Sequence, residues 1–172
     1  MTRRIENYPK PVIATVNGIA FGGGCETAEA CSLAIAAEHA SFAKPEIRLG
    51  FPPPFGGTQR LPRHIGRKRA NEMILTGVAI SAEGALLIGL INHVVPASDL
   101  LPTCLRIADL IAANSAVAVT ASLRAVTRGL NVSIDVGLAI KAAQFIIAAA
   151  SSGAPEGTAA FVEKRPAVFL HR

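Results

Sequence analysis

At 172 residues the chain is long enough for one domain with a sizeable core and too short to require two. Apolar residues make up 51% and charged residues 17%; no uninterrupted apolar run reaches membrane-spanning length and Met1-Thr2-Arg3-Arg4-Ile5-Glu6 lacks the apolar core of a signal peptide, so a soluble, cytoplasmic protein is expected. The formal charge of +5 fits a nucleic-acid surface or a site for an anionic ligand, and the second reading is preferred.

In chain order, Ile5-Glu6-Asn7-Tyr8 reads as the end of a helix running into Pro9-Lys10-Pro11. Val12-Ile13-Ala14-Thr15-Val16 is an apolar run suited to a buried strand. Ala20-Phe21-Gly22-Gly23-Gly24-Cys25-Glu26 then opens an Ala-rich helix, expected from Glu26 to Cys31, so the glycines stand at a strand-to-helix turn. There the backbone can turn tightly and a ligand can approach the amides. The first amides of a helix have no internal partner and lie at its positive end, which suits them to an oxygen that gains negative charge. Glu26 puts a carboxylate within one turn of those amides, and twenty positions later Lys44-Pro45-Glu46 offers another. Two carboxylates beside one activated carbonyl can move protons and orient a water.

Leu33-Ala34-Ile35-Ala36-Ala37 reads as a second buried strand, and Gly50-Phe51-Pro52-Pro53-Pro54-Phe55-Gly56-Gly57 as a rigid loop. Thr58 to Gly77 looks helical with a break at Pro62, and it carries the basic residues Arg60, Arg63, Arg67, Lys68 and Arg69. No interleaved aromatics or nucleic-acid motif accompany them, which favours a solvated face or a phosphate contact. Ser81 suits a helix N-cap, Gly89 ends that helix, and Asn92-His93-Val94-Val95 reads as a strand. From Ser98 onward the text is helical: Leu101, Leu105, Ala108 and Ala112 form one stripe and Leu138, Ala142, Phe145 and Ala149 another, both expected to be packing surfaces. Residues 98–172 are therefore separated from the sheet-bearing 1–97, within one continuous domain.

Cys25, Cys31 and Cys104 show no paired ligand spacing and are odd in number, which argues against zinc and against a disulfide framework. His39, His64, His93 and His171 are scattered, with no serine or cysteine nucleophile motif to use them. The triple glycine lacks both the Gly-Lys-Ser/Thr ending of a phosphate loop and the Gly-x-Gly-x-x-Gly spacing of dinucleotide folds.

Taken together, Lys10-Pro11-Val12-Ile13-Ala14, Asn17-Gly18, Gly22-Gly23-Gly24-Cys25-Glu26, Phe42, Pro45-Glu46, Leu49-Gly50 and Gly56-Gly57-Thr58-Gln59-Arg60-Leu61 resemble the enoyl-CoA hydratase/isomerase (crotonase) family. Thr76-Gly77, Ile80-Ser81-Ala82, Gly89-Leu90-Ile91, Val94-Val95-Pro96 and Phe161-Val162-Glu163-Lys164-Arg165 continue the likeness over nearly the whole chain. The resemblance implies an α/β crotonase-like ββα spiral, here partial, with a C-terminal helical region that takes part in trimers or dimers of trimers. It implies a lyase of fatty acid metabolism acting on acyl-CoA, with no metal or redox cofactor and with coenzyme A arriving as part of the substrate. Gly23 is expected to give one amide of an oxyanion hole, Glu26 to activate water for attack at C3, and Glu46 to deliver a proton to C2. Gly22, Phe161 and Lys164 are expected to contact substrate. Neither nucleic acid nor membrane is an expected partner.

Three departures from the family pattern stand out. Pro54 occupies a position where hydratases commonly have a glycine, Ser32 one where an aspartate is usual, and Glu29 one where the residue is usually uncharged, so Glu29 is expected to be exposed or paired. The family text that normally precedes the first strand, including the second oxyanion amide, is expected to lie before Met1. Two other readings remain: a truncated or non-catalytic acyl-CoA-binding or oligomerisation protein, and an enoyl-CoA isomerase.

Overall fold

The first apolar run forms β1 (Ile13–Val16) and the second forms β3 (Leu33–Ala37), paired in parallel with Ile13 opposite Leu33 and Val16 opposite Ala36. A parallel pair needs a crossover, and α2 (Gly23–Ala30) supplies it in this computed structural model, which describes residues 1–169. β6 (His93–Val95) joins the other edge of β3, also in parallel, giving the order β1-β3-β6. Ala34 to Ala37 are all buried, as befits the central strand of a parallel sheet. Ser32 accepts a hydrogen bond from the Val12 N–H at 3.1 Å, so this serine still fastens β1 to the start of β3.

A second sheet is made of three short strands: β2 (Ile19–Phe21), β4 (Ser41–Ala43) and β5 (Ile80–Ser81), in the order β2-β4-β5. β2 and β4 run parallel, and β5 pairs antiparallel to β4. Sequence periodicity does not reveal β2 or β4, because three residues are too few to show alternation. The glycine turn consequently follows β2 and not β1.

By its contacts the chain falls into two compact units, one of Met1–Glu6 with Val12–Leu105, the other of Asn7–Pro11 with the chain from Arg106 onward. The first contains both sheets, α1 (Thr2–Glu6), α3 (Gly57–Ile65), α4 (Arg67–Thr76) and α5 (Ala82–Leu87). Its core gathers Cys25, Ala36, Phe42, Leu61, Ile65, Met73, Ala85 and Ile91. The helix break falls at Gly66 and not at Pro62, which lies inside α3. Burial of Leu61 and Ile65 on either side opposes the lost proline hydrogen bond, whereas Gly66, at φ 79°, takes a conformation that ends a helix. Ser81 caps α5 as expected, accepting from the Gly84 N–H at 3.1 Å.

α6 (Leu100–Ala112) gives its first residues to this unit, and its buried residues are Leu100 and Cys104. The expected stripe is thus displaced by one position: Leu101 and Leu105 are more than half exposed. Apolar residues flank every position in this segment, so spacing alone does not select the buried face.

The second unit holds α7 (Ala116–Gly129), α8 (Ile134–Ala149) and α9 (Gly153–Glu163). A methyl on Gly137 would lie 3.2 Å from the Gly129 carbonyl oxygen, so α7 and α8 touch backbone to backbone at their hairpin. The strap Asn7–Pro11 is tied to this unit by Thr120, whose hydroxyl donates to the Pro9 carbonyl at 2.9 Å. No residue of α8 is buried, and Leu138 and Phe145 of its expected stripe are exposed. Among the described residues no single helix is long and apolar enough to cross a membrane. His171 lies outside the described residues.

Candidate active site

Gly22 follows β2 and caps α2 with φ 54° and ψ −121°, a combination closed to side-chain-bearing residues, and its N–H donates to the Ala43 carbonyl at 3.0 Å. Its own carbonyl accepts from the Glu26 N–H at 2.9 Å, the first hydrogen bond of α2. Gly23 is the first residue of that helix, so its N–H has no intrahelical acceptor and sits at the positive end of the helix dipole.

Both expected carboxylates are buried beside this turn. Glu26 is fully buried; its Oε1 accepts from the Phe55 N–H at 2.9 Å and the Gly57 N–H at 2.6 Å, while Oε2 has no hydrogen-bond partner among the described residues. Glu46 stands in the first turn of a 3-10 helix, Pro45–Leu49, and neither of its carboxyl oxygens has a partner among those residues. It packs on the turn itself: a methyl on Gly22 would come 3.3 Å from Glu46 Oε1. A buried carboxylate oxygen without a partner is costly, so the three of them here, one on Glu26 and two on Glu46, call for a functional explanation.

Phe55 links the turn to Glu26. Its ring lies against Gly23, where a methyl would meet Cε2 at 3.1 Å, and its N–H is the one bound to Glu26. The Phe55 carbonyl accepts from Thr2 Oγ1 at 2.7 Å and Arg60 Nη1 at 2.8 Å, and Arg60 is clamped by Glu6 through bonds of 3.2 and 2.9 Å. Pro54, which has no N–H to give, occupies the exposed turn just before it. Neither Phe55 nor the Arg60 clamp is apparent from sequence, since the bonded residues are up to 58 positions apart.

Behind Glu26 lies a buried ion pair. Lys44 Nζ contacts Glu29 Oε1, both side chains are wholly buried, and the Cys25 thiol donates to the same oxygen at 3.4 Å. Burial raises the Glu29 pKa, with the Lys44 ammonium opposing; burial also drives the Cys25 thiol far above its usual range, so it packs as a small apolar group. Of the two expectations for Glu29, pairing is observed and exposure is not. His64 Nε2 sits 3.0 Å from the Glu29 carbonyl. Lys44 has no sequence signal for burial, lysine being among the residues least often enclosed.

Gly22, Gly23, Glu26 and Glu46 thus gather within the first unit. Phe161 and Lys164 belong to the second: Phe161 is exposed, and Lys164 caps α9 with φ 54°. Among the described residues no group of three histidine, cysteine, aspartate or glutamate side chains could hold a metal ion.

Two small sheets, a crossover helix opened by glycines and buried carboxyls beside its first amide make this an α/β protein of the crotonase fold. The structure matches that of an enoyl-CoA hydratase from Bacillus anthracis with TM-score 0.96 at 41% identity, over 99% of this chain and 66% of that one. A crotonyl-CoA hydratase of Syntrophomonas wolfei is 45% identical over 170 residues, 99% of this chain and 65% of that protein. A short-chain-enoyl-CoA hydratase of Clostridium acetobutylicum is 45% identical over 95% of this chain and 62% of its own length. The chain therefore spans less than two thirds of these curated relatives. The family model for enoyl-CoA hydratase/isomerase matches residues 1–172, and the chain belongs to that family.

Proposed function

We propose that this chain carries the acid–base centre of a 2-enoyl-CoA hydratase, a lyase that adds water across the C2=C3 bond of an acyl-CoA thioester. The supporting observation is the pair of buried carboxyls, Glu26 and Glu46, with unpartnered oxygens beside the free amide of a helix start. The thioester oxygen accepts from the Gly23 N–H. Glu26 takes a proton from water as its oxygen bonds to C3, and the C2=C3 electron pair moves toward the carbonyl. Glu46 then delivers a proton to C2 as the enolate collapses. One such oxyanion donor is worth roughly two to three powers of ten in rate. Gly57 and Phe55 hold Glu26 by Oε1 and leave Oε2 for water.

Gly22 contributes by bringing substrate close to the backbone, and Phe161 and Lys164 contribute a contact to coenzyme A held by a neighbouring subunit. Self-association as a trimer or dimer of trimers fits the exposed apolar residues of α8. The names of the relatives given above support the same chemistry.

The test is loss of enoyl-thioester absorbance when the protein meets crotonyl-CoA, with the product identified as the 3-hydroxyacyl thioester. A shifted double bond without added water selects the isomerase reading, and no change in the thioester rejects catalysis.

A further inference from the structure

Phe55 meets the candidate site with three different groups: its N–H on Glu26, its carbonyl on Thr2 and Arg60, and its ring on Gly23. Because both ends of its backbone are tied, the ring can move only through its side-chain torsions, and these prefer discrete wells. The residue is 50% exposed although Gly22, Glu26 and Glu46 around the turn are buried. One part of the ring packs on the turn, and the rest presents an apolar surface at the mouth of the site.

The ring occupies the side of Gly23 where a side chain would project, with Cε2 and Cδ2 3.1 and 3.3 Å from that point. In the hydratase reading, on which this inference rests, the Gly23 N–H holds the thioester oxygen. A hydrogen bond of about 2.9 Å then brings the first carbons of the acyl group to within a few ångströms of the same residue. Taken with the anchored backbone, this geometry leads us to infer that Phe55 determines acyl specificity: its ring is the wall beside C2, admitting unbranched 2-enoyl thioesters and rejecting those with a methyl at C2. A C2 methyl competes with the ring for one space, and with the backbone tied at both ends the ring can yield that space only by changing its side-chain rotamer. Discrimination by one methyl group against a packed apolar wall is worth about tenfold or more.

The experiment compares the dissociation constants of crotonyl-CoA and 2-methylcrotonyl-CoA by equilibrium dialysis for the unaltered chain, Phe55→Ala and Phe55→Leu. The unaltered chain is expected to favour crotonyl-CoA, and Phe55→Ala to shift the ratio at least tenfold toward the branched thioester, with Phe55→Leu intermediate. Binding of both thioesters with a ratio unchanged in every folded variant overturns the inference and leaves the hydratase reading standing. Binding of neither by the unaltered chain overturns both. Should Phe55→Ala fail to fold, Phe55→Leu alone decides, by a shift of threefold or more or by none.

Discussion

Glu26 receives the Gly57 N–H at 2.6 Å, and the missing side chain of Gly57 is what allows that approach. A methyl there would sit 3.0 Å from Glu26 Oε1 and 2.8 Å from Lys44 Nζ, inside the space that the buried carboxylate and ammonium both border. Gly57→Ala is therefore expected to displace Glu26, to cost about 1–3 kcal/mol of stability as overpacking does, and to lower turnover of crotonyl-CoA more than tenfold. Thermal melts and steady-state assays on the same preparation check this.

In the proposed hydration the two carboxyls carry different proton transfers, so each should fail alone. Glu26→Gln and Glu46→Gln are each expected to reduce kcat by about two to four powers of ten without unfolding the chain. The double variant should lose little more than the worse single one, because residues that act as a unit in one turnover are not additive. Full activity in both single variants would remove the assignment.

Gly22 combines a positive φ with contact against Glu46. Gly22→Ala should cost about 1–3 kcal/mol through backbone strain, measured by urea unfolding. It should also lower kcat, since the new methyl presses on Glu46 Oε1 at 3.3 Å.

Lys44 and Glu29 are buried together, so removing one leaves an enclosed charge. Lys44→Met is expected to cost about 3–5 kcal/mol, and Lys44→Met with Glu29→Gln to recover most of it. A double-mutant cycle on the melting curves gives the coupling; additive effects would show that the pair is not energetically linked.

Glu156 supplies a pH signature in the second unit. Hydrogen bonds from Arg165, at 2.7 and 3.0 Å, and from the Val168 N–H lower its pKa to about 2 from an ordinary 4.5. A folded-state pKa below the unfolded value means the unfolded chain binds the proton first, so this stability is present above pH 4.5 and is lost as pH falls toward 2. Melting temperature should therefore fall less between pH 5 and pH 2 in Glu156→Gln than in the unaltered chain.

The glycine turn, Glu26 and Glu46 were legible because each is a local signal: glycines after an apolar run, a carboxylate within one helical turn, another after a proline. β1 and β3 were legible for the same reason, being long enough to show a pattern; α2 was legible as a helix, but it begins at Gly23 and not at the expected Glu26, so two of the turn glycines lie inside it. What escaped was non-local. Arg60 reaches Glu6 across 54 positions, and Lys44 finds Glu29 only because β4 and α2 are brought together by the sheets. Phe55 read as one more residue in a stiff loop, since nothing in its neighbours announces that its N–H is taken by a carboxylate 29 positions earlier. The face of α6 escaped for a compositional reason, its apolar side being broad enough to hold both the expected stripe and the buried residues Leu100 and Cys104.

The strap Asn7–Pro11 has a practical consequence for anyone dividing the molecule. Cleavage between Leu105 and Arg106 would leave that strap on the amino-terminal fragment, stripping the carboxy-terminal one of five residues that count among its own and depriving the Thr120 hydroxyl of its acceptor. Separately expressed halves should consequently behave poorly in isolation and improve when mixed, and a cleaner dissection would graft the strap onto the helical half.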